Sequence, residues 1–253
     1  MIDLHTHLLP GVDDGAESTE QSVKVLRRFQ DQGVTAVCCT PHLKASELAE
    51  APCGDMDELL RELVAAAPSA PKLVRGFEIM LDVPNAQFTD RCLTLNATRH
   101  VLVEFGRLTP ADASVDALAR IKAQGLVPLL AHPERYASCS LEMAERWRGA
   151  GALLQLDATT LLGDTKRAER ARDLLMAGHG AIIASDNHGD GRGLAIAVEW
   201  LEAHGAREQA RLLAVENPGA ILADVHTLDV PPVRLRRSLY SMFKDFVVGG
   251  KES

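Results

Sequence analysis

Histidine and acidic side chains recur at the ends of short apolar segments along this chain. His5 and His7 close the first segment, and residues i and i+2 of an extended strand point to the same side, so their imidazoles could chelate one ion. A single His near an apolar strand is usually structural, but here candidate His, Asp or Glu ligands stand at the ends of six of the seven predicted strands. The pattern predicts a metal site with nine candidate ligands: His5, His7, Asp14, His42, Glu78, Glu104, His132, Asp186 and His188.

Glu78 and Glu104 each follow an apolar stretch, where a carboxylate without a partner is costly to desolvate. The alternative to a metal ion is a buried ion pair with Arg75 or Arg107. His and carboxylate donors without thiolates favour Mn²⁺, Fe²⁺ or Zn²⁺ over a structural zinc site of the Cys type. The remaining four histidines lie at strand starts, at helix ends or near the C terminus and are interpreted as structural: His100, His179, His204 and His226.

Apolar segments alternate with helical patterns, as expected for βα units repeated around a parallel sheet. In a parallel barrel the carboxyl ends of the strands meet at one face, so the candidate ligands would share one pocket. The predicted strands are Ile2–His5, Thr35–Thr40, Leu73–Glu78, His100–Phe105, Val127–Ala131, Ala152–Asp157 and Ala181–Ser185. The predicted helices are Glu17–Gln32, Met56–Ala66, Asp112–Gln124, Lys166–Ala177 and Gly193–His204.

The composition fits one globular domain: 253 residues, 46% hydrophobic and 25% charged, a length typical of a (β/α) barrel. The net charge of −8 offers no basic field for nucleic acid. Without a signal-like N terminus or an apolar stretch of about 18 residues, we expect a cytoplasmic protein with no membrane span. Five cysteines without a C-x-x-C motif predict reduced thiols, and none has the Arg six positions later that a thiol phosphatase needs.

Several motifs resemble the PHP (polymerase and histidinol phosphatase) superfamily, and within it the bacterial protein-tyrosine phosphatases of capsule and exopolysaccharide operons. The most specific is the opening block, MIDLHTHLLPGVDDG, at residues 1–15. The likeness spans nearly the whole chain. The other similar motifs are Thr40-Pro41-His42, Gly76-Phe77-Glu78-Ile79, Val103-Glu104-Phe105, the HPERY segment at 132–136, the SDNH segment at 185–188 and Glu216-Asn217-Pro218.

The resemblance implies a distorted (β/α)7 TIM-like barrel, the PHP fold, that holds three divalent metal ions. Mn²⁺ is favoured, and Fe or Zn are alternatives. Arg135 and Arg192 look like the family's phosphate-binding arginines, and the alternative for each is a solvated surface position. The implied ligand sets are His5, His7, Glu78 and Asp186 for the first ion, Glu78 (bridging), Glu104 and His132 for the second, and Asp14, His42 and His188 for the third.

The implied activity is hydrolysis of phosphotyrosine on proteins, with a bacterial tyrosine kinase as partner and regulation of capsule or exopolysaccharide synthesis as its role. The expected reaction is in-line attack on phosphorus by a hydroxide shared by two metal ions. A phenolate, with a pKa near 10, leaves with little acid assistance. The alternatives are a PHP phosphatase for a small phosphomonoester such as histidinol phosphate, a nuclease-like phosphodiesterase, or a non-catalytic protein that binds a phosphorylated partner.

The chain departs from the family pattern at one position and in the segment that follows it. Leu43 stands where family members commonly carry a second His, and residues 44–53 lack the usual Gly, Tyr and Asn, which bears on substrate choice.

Val230-Pro231-Pro232 predicts the end of the phosphoesterase domain, which we assign to residues 1–228, with 229–253 as a tail. The tail predicts a partner or subunit contact, including a homo-oligomer, because basic and apolar residues alternate there: Arg234, Arg236, Arg237 and Lys244 with Leu239, Tyr240, Met242, Phe243 and Phe246. The alternative is a helix packed on the barrel.

Overall fold

A computed structural model describes residues 1–234 and has a mixed α/β fold in which every strand pairing is parallel. Nine strands form a three-stranded sheet of order β1-β2-β4 and a six-stranded sheet of order β3-β5-β6-β7-β8-β9. The strands are β1 (Ile2–Thr6), β2 (Ala36–Cys39), β3 (His42–Lys44), β4 (Lys72–Arg75), β5 (Glu78–Met80), β6 (His100–Glu104), β7 (Val127–Ala131), β8 (Leu153–Asp157) and β9 (Ile182–Ala184).

Helices follow most strands and cover the outside of the sheets. In the first of them Ser18 accepts a hydrogen bond from the Gln21 backbone N–H, as its sequence position before a helical pattern predicts. The same helix buries Val25, Leu26 and Phe29 on one face. The helices are α1 (Thr19–Asp31), α2 (Cys53–Ala66), α3 (Ala111–Ala123), α4 (Leu141–Gly149), α5 (Lys166–Met176), α6 (Ala195–Ala203), α7 (Arg207–Arg211) and α8 (Asn217–Leu222), with a π-helical turn at Leu212–Glu216 between the last two.

Two of the predicted strands are interrupted and then continue. β2 resumes as β3 after Thr40 and Pro41, and β4 resumes as β5 after Gly76 and Phe77. The parallel pairing persists across the break, because Gly76 N–H donates to the Cys39 carbonyl and Glu78 N–H to the Pro41 carbonyl, both at 3.0 Å. The prediction that a strand ends at Glu78 is therefore wrong: Glu78 begins β5, opposite His42 at the start of β3.

The first and last strands lie next to each other. Asp186 N–H donates to the His5 carbonyl at 3.0 Å, and His7 N–H donates to the Asn187 carbonyl at 2.7 Å. A parallel bridge joins Thr6 to Asn187. These bonds bring the chain after β9 against the end of β1, so that the residues following the two strands share one face of the molecule.

Two helical regions had no assignment from the sequence. α4 begins after Ser140, whose hydroxyl accepts a hydrogen bond from the Met143 backbone N–H. Its Trp147 is fully buried and donates from Nε1 to the Ser114 hydroxyl at 2.8 Å, which fixes α4 against α3. The other region, residues 207–222, changes from α to π and back, a pattern that apolar spacing alone does not reveal.

The cysteine prediction is wrong for two of the five residues. Cys53 and Cys92 form a disulfide, with their Cα atoms 6.0 Å apart. The start of α2 and the short helical turn Arg91–Leu93 before β6 approach each other, and Arg75 donates hydrogen bonds to the backbone carbonyls of both cysteines. Cysteine number and spacing cannot reveal such proximity, since it arises from the tertiary fold. The three remaining cysteines are free and buried: Cys38, Cys39 and Cys139.

The packed part of the chain continues beyond residue 228. Val230 and Val233 are buried in the main hydrophobic core, and Val233 N–H approaches the Leu175 carbonyl at 3.4 Å. Residues 235–253, which hold most of the predicted basic and apolar tail, lie outside the described residues. Within residues 1–234 no helix has both the length and the apolar character that crossing a bilayer requires.

Candidate metal centre

The end of β1 supplies two buried imidazoles that face two buried carboxylates. The Nε2 atoms of His5 and His7 are 3.2 Å apart. An oxygen of Glu78 lies 3.1 and 3.3 Å from these nitrogens, and an oxygen of Asp186 lies 3.3 and 3.4 Å from them. Four donor atoms from β1, β5 and the segment after β9 therefore surround one point.

The spacing of these donors fits a divalent ion. Ligand atoms held about 2.1 Å from an ion are about 3.0 Å apart at octahedral and about 3.4 Å apart at tetrahedral angles, from the usual bond lengths. The observed separations of 3.1 to 3.4 Å among His5, His7, Glu78 and Asp186 fall in that interval. Two nitrogens and two carboxylates without thiolate are also a donor set suited to Mn²⁺, Fe²⁺ or Zn²⁺.

A second group of donors lies around Glu78 and Glu104. His132 Nε2 is 2.8 Å from Glu78 Oε1 and 3.9 Å from Glu104 Oε2. His42 Nδ1 approaches the same two carboxylates, at 3.2 Å from Glu78 and 3.5 Å from Glu104. Glu78 thus faces both groups of donors, which is the geometry that a bridging carboxylate needs.

The third group of donors is the most exposed. Asp14 Oδ1 lies 3.4 Å from the Nε2 atoms of both His42 and His188. His7 completes a four-residue group with these three, all within 4.8 Å of one another. The Asp14 side chain is 72% exposed, whereas His5 and His7 are fully buried, so the centre extends from the core to solvent. All nine sequence-predicted ligands therefore lie in one contiguous cluster.

Two residues of the cluster have unusual backbone conformations. His132 has φ +33° and Asp186 has φ +49°, in the left-handed region that costs non-glycine residues about 1–3 kcal/mol. Hydrogen bonds hold both turns: Asp186 N–H donates to the His5 carbonyl, and Arg135 N–H donates to the His132 carbonyl at 3.0 Å. Each side chain is thereby directed toward Glu78 and the imidazoles at the point where its strand ends.

The charges of the cluster strongly influence one another. Burial would lower the pKa of His5, but Glu78 and Asp186 raise it to about 9. Burial, together with the Glu78 carboxylate, raises the pKa of Glu104 to about 8. Burial also opposes ionisation of Asp186, yet His5 and the hydrogen bond from His7 hold its pKa well below the usual range. The carboxylates repel one another and favour positive charge on the buried imidazoles, which matches the electrostatics of a cation site.

Sequence reasoning missed the residues that orient the imidazoles. Asp13 Oδ2 is 2.7 Å from His7 Nδ1, and Gln155 Oε1 is 3.0 Å from His5 Nδ1. Each bond fixes the ring so that Nε2 faces the carboxylates, the arrangement that commonly orients a metal-binding His. Asp13 also accepts from the backbone N–H groups of His42 and Gly15. No sequence signal identifies Gln155, which lies inside β8.

The two arginines both approach Oδ2 of Asp186. Arg135 Nη2 donates to Asp157 at 2.8 Å and also to Asp186. Arg192 lies within 3.5 Å of Asp186 through Nη1 and donates from Nε to Asp190 at 2.8 Å. Both side chains are about 30% exposed, at 30% for Arg135 and 28% for Arg192, so they border the cluster and solvent. Asp157 closes the sixth predicted strand, a signal that the sequence analysis did not use.

The alternative partners considered for Glu78 and Glu104 do not bind them. Arg75 pairs with Asp57 on α2 and with the carbonyls of the disulfide cysteines. Arg107 is an exposed residue of the loop after β6, and within residues 1–234 it has no carboxylate within 4 Å. The two glutamates instead face His42 and His132.

Comparison with known proteins identifies several relatives. Tyrosine-protein phosphatase CpsB of Streptococcus agalactiae serotype III is 28% identical over 242 residues, covering 88% of this chain and 98% of the relative. Tyrosine-protein phosphatase YwqE of Bacillus subtilis is 27% identical over 205 residues, covering 74% of this chain and 77% of the relative.

Solved structures show the same fold. One from the work on YwqE of Bacillus subtilis and CpsB of Streptococcus pneumoniae, described as unique metal-dependent tyrosine phosphatases, superposes with a TM-score of 0.78. It is 25% identical and covers 94% of this chain and 100% of its own. A dihydropyrimidinase from Brevibacillus agri, 12% identical, shares the fold more distantly, with a TM-score of 0.53 and coverage of 94% of this chain and 73% of its own.

A family profile extends the match along most of the molecule. The profile describes capsular polysaccharide synthesis proteins CpsB/CapC and matches residues 1–223, which contain all nine clustered donors and both arginines. The expected resemblance to capsule-type tyrosine phosphatases is thus confirmed, and the chain belongs to the CpsB/CapC family.

Proposed function

We propose that this protein is a metal-dependent phosphatase that hydrolyses phosphotyrosine on proteins and thereby regulates capsule or exopolysaccharide synthesis. The observation that carries the proposal is the cluster of nine His, Asp and Glu side chains bordered by two arginines. Family membership and the names of the relatives support the substrate class.

The proposed centre binds three divalent ions. The first would be held by His5, His7, Glu78 and Asp186; the second by Glu78, Glu104 and His132; the third by Asp14, His42 and His188. The donor chemistry favours Mn²⁺, with Fe or Zn as alternatives. When bound, such ions act as Lewis acids and lower the pKa of water to about 7.

The arginines would bind the phosphoryl group. Arg135 uses Nη2 for Asp157 and Asp186, and its Nε and Nη1 groups have no protein acceptor within residues 1–234. These N–H groups can donate to phosphate oxygens in the paired, charge-assisted manner of guanidinium. Arg192, which also approaches Asp186, would stabilise the same charge. Because a phenolate leaves readily, the chain needs little general-acid assistance for an aryl phosphate.

The proposal extends to the architecture and the cellular setting. Counting β2 with β3 as one interrupted strand and β4 with β5 as another, the nine strands would form the seven strands of a distorted (β/α)7 barrel. The hydrogen bonds between the end of β1 and the chain after β9 support this closure. Residues 1–228 would make up the phosphoesterase domain and 229–253 a tail for partner or subunit contact. The expected partner is a tyrosine kinase, and cytoplasmic action follows from the ATP that such a kinase consumes.

A turnover assay tests the activity. Purified protein should hydrolyse p-nitrophenyl phosphate and a phosphotyrosine peptide, lose activity to a chelator, and regain it best with Mn²⁺. Asp186→Asn should lower kcat/KM at least about 100-fold, because the charge that holds the first ion is removed. Asp173→Asn, on the exposed face of α5, is the matched control and should behave as wild type.

Three results would contradict the proposal. They are turnover that survives removal of all metal, equal kcat/KM for phosphotyrosine and phosphoserine peptides, and a preference for histidinol phosphate. The last would support the small-molecule alternative. Binding of phosphotyrosine without any turnover by the metal-loaded protein would support the non-catalytic one.

A further inference from the structure

A basic groove borders the metal centre on the side of Arg135. It has a volume of about 650 Å³ and is lined by five cationic residues, which define it: Arg107, Arg135, Lys166, Arg167 and Arg170. Three threonines and the exposed Leu108 complete most of the wall, and no Asp or Glu lines it. In a chain with a net charge of −8, such a concentration of positive charge is distinctive.

The basic groove is structurally continuous with the metal centre. Arg135 belongs to both, since it lines the groove and bonds Asp186 of the cluster. Asp157, which also bonds Arg135, accepts hydrogen bonds from the backbone N–H groups of Thr159 and Thr160 in the groove wall, at 2.9 and 3.0 Å. A ligand that placed a phosphoryl group at Arg135 would therefore have its neighbouring atoms beside this wall.

Four of the five groove cations, all but Arg135, lack acidic partners in the described part of the chain. Within residues 1–234, none of Arg107, Lys166, Arg167 and Arg170 has a carboxylate oxygen within 4 Å, although Arg146, Arg148 and Arg192 elsewhere do. Arg170 is held instead by the Tyr136 carbonyl, at 3.1 Å from Nη1. Asp164 and Glu169 are close in sequence but do not line the groove. Like charges gathered without counter-charges repel one another, so an anionic ligand would relieve the repulsion.

The size and lining of the groove suit a peptide better than a free ion. Its volume exceeds what one phosphate needs, and Leu108, 81% exposed at its edge, offers apolar contact beside the charges. Lys166 and Arg167 occupy the exposed first turn of α5, where long side chains can reach over a bound chain.

We propose that the basic groove binds the carboxylate side chains that flank the phosphotyrosine of a protein substrate, so that the enzyme prefers phosphotyrosine within an acidic sequence. This inference depends on the proposed phosphatase function and specifies its substrate class. The groove supplies Coulombic attraction, whereas Arg135 and the metal centre bind the phosphoryl group itself. The preference therefore weakens as salt rises, because the Debye length shortens from about 10 Å at 0.1 M to about 3 Å at 1 M.

The test compares two phosphotyrosine peptides of equal length, one with Asp and Glu beside the phosphotyrosine and one with Asn and Gln at the same positions. The metal-loaded full chain should show a kcat/KM ratio of roughly fivefold in favour of the acidic peptide at low salt, a size typical of a few exposed charge pairs. The double variant Lys166→Glu/Arg167→Glu should bring the ratio to one or below. Acidic residues suit the first turn of a helix, so α5 should remain folded.

Lys24→Glu/Arg27→Glu provides the matched control. These exposed residues of α1 line a different cavity, which shares no residue with the basic groove, and undergo the same change of charge, so the ratio should stay at its wild-type value. Equal kcat/KM for the two peptides in wild type, or a ratio that both double variants reduce alike, would overturn the inference. The inference would also be overturned if a peptide with a second phosphotyrosine had a higher kcat/KM while the acidic and neutral peptides had equal values.

Failure of the inference is distinguishable from failure of the proposed function. If wild type hydrolyses p-nitrophenyl phosphate and both peptides without discrimination, only the groove assignment is wrong. If it hydrolyses none of the three with metal present, the phosphatase proposal itself is wrong.

Discussion

At the scale of single residues, the buried imidazoles depend on side chains that do not face the cluster. His7 is fully buried, and the Asp13 carboxylate fixes its Nδ1 while also binding two backbone N–H groups. Burial would raise the pKa of Asp13, but the bond with His7 lowers it, so the carboxylate stays charged beside the ring. One side chain thus orients an imidazole and organises the loop that carries Asp14.

Replacing Asp13 should weaken metal binding. In Asp13→Ala the His7 ring loses its orienting acceptor, and we expect metal affinity to fall about 10- to 100-fold. Isothermal titration of the metal-free protein with Mn²⁺ measures the change. Asp116→Ala, at an exposed position of α3, is the control and should retain wild-type affinity. Unchanged affinity in Asp13→Ala would show that His7 needs no such support.

At the scale of elements, the loop after β1 must pack tightly to bring Asp14 toward His42 and His188. Ala16 N–H donates to the His7 carbonyl at 2.9 Å, and Gly15 lies directly against His7. A Cβ on Gly15 would overlap the carbonyl oxygen and Cβ of His7 and approach Asp13 Oδ1 to 2.8 Å. Glycine is required there because two segments of backbone are in close contact, not because of a positive φ.

Gly15→Ala should therefore displace the loop and disturb the metal centre. We expect a free energy of unfolding lower by about 1–3 kcal/mol, as for other overpacked sites, together with reduced metal content. Thermal unfolding and elemental analysis of the purified variant provide the measurements. Gly54→Ala is the control, since a Cβ there meets nothing within 4 Å and alanine suits α2. Equal metal content in both variants would contradict the steric argument.

At the scale of the whole molecule, stability at acidic pH depends on a histidine away from the cluster. His100, at the start of β6, is buried, and burial lowers its pKa to about 4. Arg99 and His226 act in the same direction, and Asp224, 3.7 Å from His100 Nδ1, opposes them. The unfolded chain takes up a proton near pH 6.5 and the folded chain only near pH 4. The stability linked to His100 is thus complete above pH 6.5 and is lost as the pH falls to about 4.

The variant His100→Asn should lessen this acid sensitivity. Between pH 7 and pH 4 the free energy of unfolding should decrease by up to about 3 kcal/mol less in the variant than in wild type, from a depression of the pKa from 6.5 to about 4. Urea unfolding at several pH values measures both slopes. His204→Asn, at the end of α6, serves as the comparison and should follow wild type. Parallel curves for wild type and His100→Asn would exclude this origin of acid sensitivity.

The tail prediction also belongs to the whole molecule, and the burial of Val233 sets where to cut the chain. Truncation after residue 234 preserves the packed segment, so turnover of p-nitrophenyl phosphate per folded subunit should stay within about twofold of wild type, a change of under about 0.5 kcal/mol. Oligomer mass by light scattering should change if the tail makes subunit contacts. Loss of metal or of the folded state on truncation would show instead that residues 235–253 support the domain.

The candidate ligands were accessible from the sequence because their signal is local. All but Asp14 lie at or shortly after the end of a predicted apolar strand, and in parallel βα units the strand ends meet on one side, so residue type and position suffice to bring these eight together. The long opening block at residues 1–15 made the family recognisable for the same reason. Helix α1 was predictable from Ser18, Gln21 and one apolar face, all within 16 residues.

Only the tertiary structure decided how those residues meet. The broken strands place Glu78 opposite His42, a register that depends on pairing between segments 36 residues apart. The disulfide of Cys53 and Cys92 and the hydrogen bond between Gln155 and His5 each join segments that are distant in sequence. The five cations of the basic groove likewise come from separate segments of the chain. Residue identity and local spacing determine which groups can do chemistry, because they fix each strand and helix. Packing determines which of those groups share a site, because only contacts between elements set their distances.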